Sequence, residues 1–227
     1  GGWFYKPLWS YETEEKGSTV SLYFFSTNLK YPFKINNYKL NESFGLKIMT
    51  WNNFIVWDHY QEVYLKQFCP NAAFTQTGYV DISGIEYIPQ SNHKVKRLAV
   101  FDVTPTRPTT NSRLGFAMPR YYSEELNLTF LQDIIEAFNH SKWEIMWKKK
   151  RIVDRKFISE AFIQKQFNLV RNKINIIDPN VAARSLMEAS DAVISMPFTS
   201  TALMAKELGV STIFYDASGE IRQKRNH

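Results

Sequence analysis

Between residues 98 and 215 short apolar runs alternate with stretches of helical periodicity, and that alternation leaves few folds open to the chain. Leu98–Phe101, Trp143–Trp147, Ile174–Ile177, Ala192–Met196 and Val210–Tyr215 are too short for helices and are apolar without a two-residue alternation. That is the pattern of strands covered on both faces, the hallmark of a parallel sheet. Helices are expected between them. One runs to Phe138 behind Ser123 and the acidic pair Glu124-Glu125, and others are expected over Glu160–Val170 and Val181–Ala189. A last helix opens from the turn Pro197–Ser200 and continues through Leu208, where Gly209 supplies the left-handed residue that ends it. The class is α/β, a parallel sheet flanked by helices.

The first 93 residues hold a partial version of the same order. Thr19–Thr27 is read as a strand after the turn at Lys16-Gly17, and Phe44–Trp51 as a second, with a polar loop over Tyr31–Asn41 between them. Trp57, Tyr60, Tyr64, Leu65 and Phe68 recur at spacings of three and four, so a helix is expected over Trp57–Phe68, ended by Cys69-Pro70. Thr77–Ile82 is a further strand candidate. The loop Pro89–His93 marks the boundary between a Rossmann-like unit at 1–93 and another at 94–227.

The single cysteine, Cys69, excludes an intrachain disulfide framework and a multi-thiolate metal site, and reads as a buried, idle thiol. The histidines, His59, His93, His140 and His227, are scattered, so no metal is expected. A net charge of +6 suits anionic ligands such as nucleotide sugars, and does not point to nucleic acid. No apolar run reaches the roughly eighteen residues of a membrane span, so the expectation is a cytosolic or peripheral protein. The dinucleotide glycine fingerprint, the P-loop, the nucleophile elbow and the zincin helix are all missing from the sequence.

In an open parallel sheet the ligand lies beyond the carboxyl ends of the strands, which directs attention to the residues that follow each one. Asp102 with Arg107, the run Lys148-Lys149-Lys150-Arg151, Asp178, and Thr199-Ser200-Thr201 occupy these exits. The three hydroxyls open a helix whose first amides lack partners and whose dipole favours an anion, so they fit a donor phosphate; a plain N-cap explains them as well. Asp102 has the chemistry of a base or nucleophile, or of a turn residue bonded to its own backbone. Arg107 suits a phosphate or a sugar carboxylate, or a solvated surface. Lys148 and Lys150 are candidates to stabilise a departing phosphate. Asp216, with Glu220 behind it, could hold ribose hydroxyls or close a turn.

The stretch from Ala189 to Ala202, with Pro197-Phe198-Thr199-Ser200-Thr201 at its centre, resembles the signature of the polysaccharide-biosynthesis PFTS-motif proteins of bacterial surface glycans. Residues 7–12, 23–28, 56–61 and 100–105 resemble that family too, so the likeness spans most of the chain. The strand, hydroxyl turn and helix are also similar to those of GT-B enzymes with cytidine-activated donors: bacterial sialyltransferases, Kdo transferases and glycerophosphotransferases. The resemblance implies a metal-independent GT-B glycosyltransferase without a cofactor, in which Thr199 and Ser200 hold donor phosphate and Thr201 opens the helix beneath it. Its partners would be a nucleotide-sugar donor, with an acidic sugar on CMP as one form, and a glycan or lipid-linked acceptor. Its expected location is the cytoplasm or the inner face of the membrane. The alternatives are a glycerophosphotransferase-like enzyme and a non-catalytic nucleotide- or glycan-binding module. Two departures stand out. The His-Pro dipeptide of many bacterial sialyltransferases is replaced by Lys148–Arg151, and GT-B enzymes carry two complete domains. Residues 1–93 would then be the C-terminal part of an N-terminal domain, and 94–227 a truncated C-terminal nucleotide-binding domain.

Overall fold

The computed structural model describes residues 5–24, 48–79, 85–88, 95–106, 122–150, 158–197 and 199–219. The chain separates into two compact units, Gly1–Asp81 and Ile82–His227.

In the first unit, helix α1 (Leu8–Glu15) precedes strand β1 (Leu22–Tyr23), strand β2 (Asn53–Val56), helix α2 (His59–Lys66) and strand β3 (Ala73–Gln76). The three strands pair in parallel in the order β1-β2-β3. Phe24, Met49, Trp51, Phe54, Val56, Leu65 and Cys69 form the core, which places the lone thiol inside, its pKa raised by burial. Asp58 starts α2 by accepting the Gln61 amide at 2.8 Å, and the Gln61 side chain returns a bond from the Trp57 amide at 2.7 Å.

Two strands of this unit lie a few residues from where the periodicity puts them. Among described residues of the stretch 44–51, Ile48–Trp51 is not a strand; the ladder begins at Asn53, beyond the polar Asn52-Asn53 pair. Apolar character there reports packing, since Met49 and Trp51 are core residues outside any ladder. Likewise β3 ends at Gln76, before the expected Thr77, because Gly78 adopts a φ of 74° that no extended ladder accommodates. Helix α1 carries no amphipathic signal, with Leu8 and Trp9 both exposed.

The second unit follows the alternation closely. Strand β4 (Arg97–Phe101), helix α3 (Glu124–Phe138), strand β5 (Glu144–Lys148), helix α4 (Glu160–Val170), strand β6 (Asn175–Ile177), helix α5 (Ala183–Glu188), strand β7 (Ala192–Ser195), helix α6 (Ser200–Glu207) and strand β8 (Ser211–Phe214) come in turn. All pairs are parallel, in the order β6-β5-β4-β7-β8. This is the doubly wound arrangement in which the first strand lies centrally and the chain reverses direction beside it. Every residue of β4 is buried, whereas the edge strands β6 and β8 leave Ile176 and Ile213 exposed. Helix α3 packs on α4, and α5 on α6. Ile85–Tyr87 joins this unit through a bridge from Ile85 to Val181 and a bond from the Tyr87 amide to Ser185 Oγ.

At the amino ends of the strands, Arg97 is held by its amide to Asp191 Oδ2 at 2.8 Å and by its Nε to Glu144 Oε2 at 3.1 Å, which ties the starts of β4, β5 and β7. The helices begin at the carboxyl ends.

Phe130 of α3 is fully buried and stacks on Tyr215 at 5.9 Å. Phe130→Ala should cost about 3–5 kcal/mol of stability in urea titration. Ile176→Ala, on the exposed edge of β6, should change it by less than about 1 kcal/mol.

Candidate functional site

The reversal of strand order falls between β4 and β7, so a ligand crevice is expected where these two strands end. The Met196 amide donates to the Phe101 carbonyl at 3.1 Å across that gap. Asp102 leaves β4 on one side, and the Pro197–Thr201 turn leaves β7 on the other. Two of the strand exits singled out in the sequence therefore flank the switch point.

At the turn, Thr199 is the N-cap residue of α6 by its backbone, yet its side chain makes no capping bond to a backbone amide of the helix. Its hydroxyl donates to the Met196 carbonyl at 3.0 Å and lies 2.9 Å from Thr201 Oγ1, which in turn lies 2.9 Å from the buried Ser195 Oγ. Proton direction in this chain is forced. A carbonyl can only accept, so the Thr199 proton is committed to it; Thr199 must then accept from Thr201, and Thr201 from Ser195. The hydroxyl protons of Thr199 and Thr201 are thus spent on fastening the turn to β7. Ser200, the first residue of α6, makes no such bond, and the helix's first amides remain without a side-chain cap.

Helices α3 and α4 begin differently, whereas the short α5 starts, like α6, with no side-chain cap and no acid in its first turn. Ser123 caps α3 by accepting the Leu126 amide, with Glu124 and Glu125 in the first turn; Ser159 caps α4 by accepting the Phe162 amide, with Glu160 following. Glu124 also binds the Ser159 amide at 2.5 Å and hydroxyl at 2.8 Å, joining the two helix starts. Both dipoles are thereby offset by acids, while α6 has no acid in its first turn.

Asp102 is buried, 6% exposed. Asn127 Nδ2 of α3 donates to its Oδ2 at 3.0 Å, and the Lys150 amide also donates to it. The indole N–H of buried Trp147 lies close enough to lower its pKa, while falling short of the geometry of a full hydrogen bond. Burial outweighs these donors and the Lys149 charge, and pushes the carboxyl up to about 6.

Of the cation run, buried Lys148 donates to the Pro179 carbonyl at 2.9 Å, and Lys149 Nζ reaches Gln166 Oε1 at 3.0 Å and sits 4.8 Å over the Trp147 ring. Burial lowers the pKa of both ammoniums, and Asp102 opposes that shift. Lys150 has an exposed side chain and serves Asp102 through its backbone. Asp216 caps its own turn, its Oδ1 accepting the Ser218 amide at 3.0 Å and hydroxyl at 2.6 Å. Just before it, Tyr215 donates to Asp133 Oδ2 at 2.5 Å, which pushes the phenol up to about 12. Arg107, Arg151, Phe198 and Glu220 lie outside the described residues. Among the described residues no group of acidic, histidine and cysteine side chains could hold a metal ion.

Asn127, Gln166 and Trp147 are the members of the site that the strand-exit reading passed over. A signal existed: Asn127 and Gln166 are polar residues on the buried faces of α3 and α4, Gln166 midway between Phe162 and Val170. A polar side chain at a core position needs a partner, and here the partners lead to Asp102.

A parallel α/β unit of this strand order has the form of a Rossmann-like domain, with an uncapped helix start and a buried carboxylate at its switch point. The chain matches the family described as polysaccharide biosynthesis PFTS motif protein over residues 1–227, and belongs to it. No curated protein matches the sequence. Among solved structures it is similar to a protein assigned as a UDP-N-acetylglucosamine 2-epimerase from Listeria monocytogenes, at 11% identity and a TM-score of 0.49, over 90% of this chain and 52% of that one. It is also similar to the pneumococcal O-GlcNAc transferase GtfA, determined with UDP and GlcNAc, at 11% identity and a TM-score of 0.46, over 94% of this chain and 41% of that one. The chain thus spans about half the length of these structures or less.

The carboxyl of Asp102 gives the fold a pH signature. Its folded pKa of about 6 lies above the usual value near 4, so the native state holds more protons between those limits and stability falls as pH rises through the window. The burden is absent below about pH 4 and reaches about 3 kcal/mol above about pH 6. Asp102→Asn should gain on the wild type by up to that amount across the window in urea titrations at stepped pH. A difference independent of pH would show that the carboxylate is not desolvated.

Proposed function

We propose that the chain is the nucleotide-binding part of a metal-independent GT-B glycosyltransferase, moving a sugar from a nucleotide donor to a surface polysaccharide or lipopolysaccharide acceptor. Membership of a polysaccharide-biosynthesis family supports the reaction class. The observation that carries the site is the start of α6, where Thr199 gives its hydroxyl proton to the Met196 carbonyl and the helix keeps no side-chain cap and no acid in its first turn.

In this reading the donor phosphate sits on the first amides of α6 and on Ser200 Oγ, with the helix dipole behind it and the Lys148 and Lys149 charges beneath. Such fixed donors stabilise charge that grows on the leaving phosphate. Asp102 acts as the base. A carboxylate offers about four acceptor sites, and its known donors leave room for an acceptor hydroxyl. The bond from the anomeric carbon to phosphate breaks, the acceptor oxygen bonds that carbon, and the hydroxyl proton passes to Asp102. A pKa near the working pH suits that task. The unit Gly1–Asp81 would be the C-terminal part of an N-terminal domain, and Ile82–His227 the nucleotide-binding domain. No helix among the described residues is long and apolar enough to cross a membrane, and placement at the inner membrane face is part of the proposal.

Calorimetric titration with CMP, CDP, UDP and GDP should find one base preferred by the wild type, and Ser200→Ala should weaken it about tenfold. Absence of any binding, or equal affinity in the variant, would sink the phosphate assignment. Asp102→Asn should keep nucleotide affinity and lose about 100-fold or more in turnover. Unchanged turnover would favour a binding module, and release of a phosphoalcohol instead of a sugar would favour a glycerophosphotransferase.

A further inference from the structure

Asn127, Gln166 and Lys149 stand in line behind Asp102, and the chemistry of one end fixes the orientation of every bond. Lys149 Nζ carries donors only, so the oxygen of the Gln166 amide must face it, at 3.0 Å. The nitrogen of that amide then faces Asn127 and donates to its Oδ1 at 2.8 Å. The Asn127 oxygen being occupied, its nitrogen turns to Asp102 Oδ2 at 3.0 Å. A free amide could turn its oxygen to a protonated Asp102; this one is held with its nitrogen toward the carboxyl. Asn127 and Gln166 are 1% and 6% exposed, so water does not compete for these bonds.

We propose that Lys149, Gln166 and Asn127 form a directional relay that positions the Asp102 carboxylate, with Asn127 and Gln166 as positioning residues of the β4 exit. The catalytic consequence rests on the proposed role of Asp102 as base; the relay itself does not. Each bond polarises the next toward the carboxylate, which favours its ionised form. The Lys149 ammonium also lies over the ring of Trp147, whose N–H is near enough to the same carboxylate to lower its pKa. The other groups facing Asp102 are the Lys150 amide and the Lys148 charge, the latter shared with Asp178.

The relay is separable from simple charge attraction. Gln166→Met keeps the Lys149 charge and cuts the line, and should raise the Asp102 midpoint by about half a pH unit. The midpoint is read by carbon NMR of aspartate-labelled protein between pH 4 and pH 8, the Asp102 signal being the one lost in Asp102→Asn. Should Gln166→Met fail to fold, half-buried Lys149 gives a milder pair. Lys149→Gln retains a donor for Gln166 Oε1 and Lys149→Met does not, so the Met variant should have the higher midpoint. A Gln166→Met midpoint equal to the wild type's, or equal midpoints in the Lys149 pair, would overturn the relay. In a transferase assay the acid limb of kcat/KM should move with the NMR midpoint. If the midpoint moves and the limb does not, the relay stands and the base assignment of Asp102 falls.

Discussion

The parallel pairing of β4 with β7 is the constraint on which the second unit depends. These strands are neighbours in space but are separated in sequence by three helix crossovers and two other strands. The chain winds outward from β4 through β5 to β6, returns, and winds outward again from β7 to β8. Only at that seam do the connections leaving two adjacent strands diverge, and divergence opens a crevice. The staple of Arg97 with Asp191 and Glu144 closes the other end of the same strands. The sheet is thus bound at its amino edge, and its carboxyl edge is given over to helix starts and polar side chains.

Burial then decides what those side chains can do. Asp102, Lys148 and Lys149 all lose solvation at the strand exits, and each is compensated differently: by amide donors, by a carbonyl, and by a glutamine and an aromatic face. The hydroxyls of Ser195, Thr201 and Thr199 satisfy one another in sequence and end on a backbone carbonyl. Rigidity at the seam comes from these closed accounts of donors and acceptors, and the openings are few. Ser200 and the amides beside it are the clearest.

The second unit was legible because its central strands are buried on both faces. Leu98–Phe101 and Ala192–Ile194 are apolar without interruption, and Ser123, Ser159 and Gly209 punctuate the helices as local chemistry requires. The first unit was harder to read. Its strands are short and half covered, so apolar residues such as Met49 and Trp51 mark the core without marking a ladder. The candidate site was legible as a set of positions and less so as a set of roles. Thr199 and Asp216 have the residue types that bind phosphate and ribose, yet whether a hydroxyl or carboxylate faces outward or into its own turn depends on contacts that no spacing records. Lys148 and Lys149 are adjacent in the chain and have separate partners, because successive side chains of an extended segment point to opposite faces.

That divergence of Lys148 and Lys149 has an electrostatic consequence. Mobile ions crowd around exposed lysines and mute them within about 8 Å at the ionic strength of a cell, but they penetrate poorly to ammoniums held under a sheet edge. The Lys148 charge is therefore one that salt does little to mute. Its attraction for the buried Asp102 carboxylate is a property of the folded interior, carried from one ionic surrounding to the next.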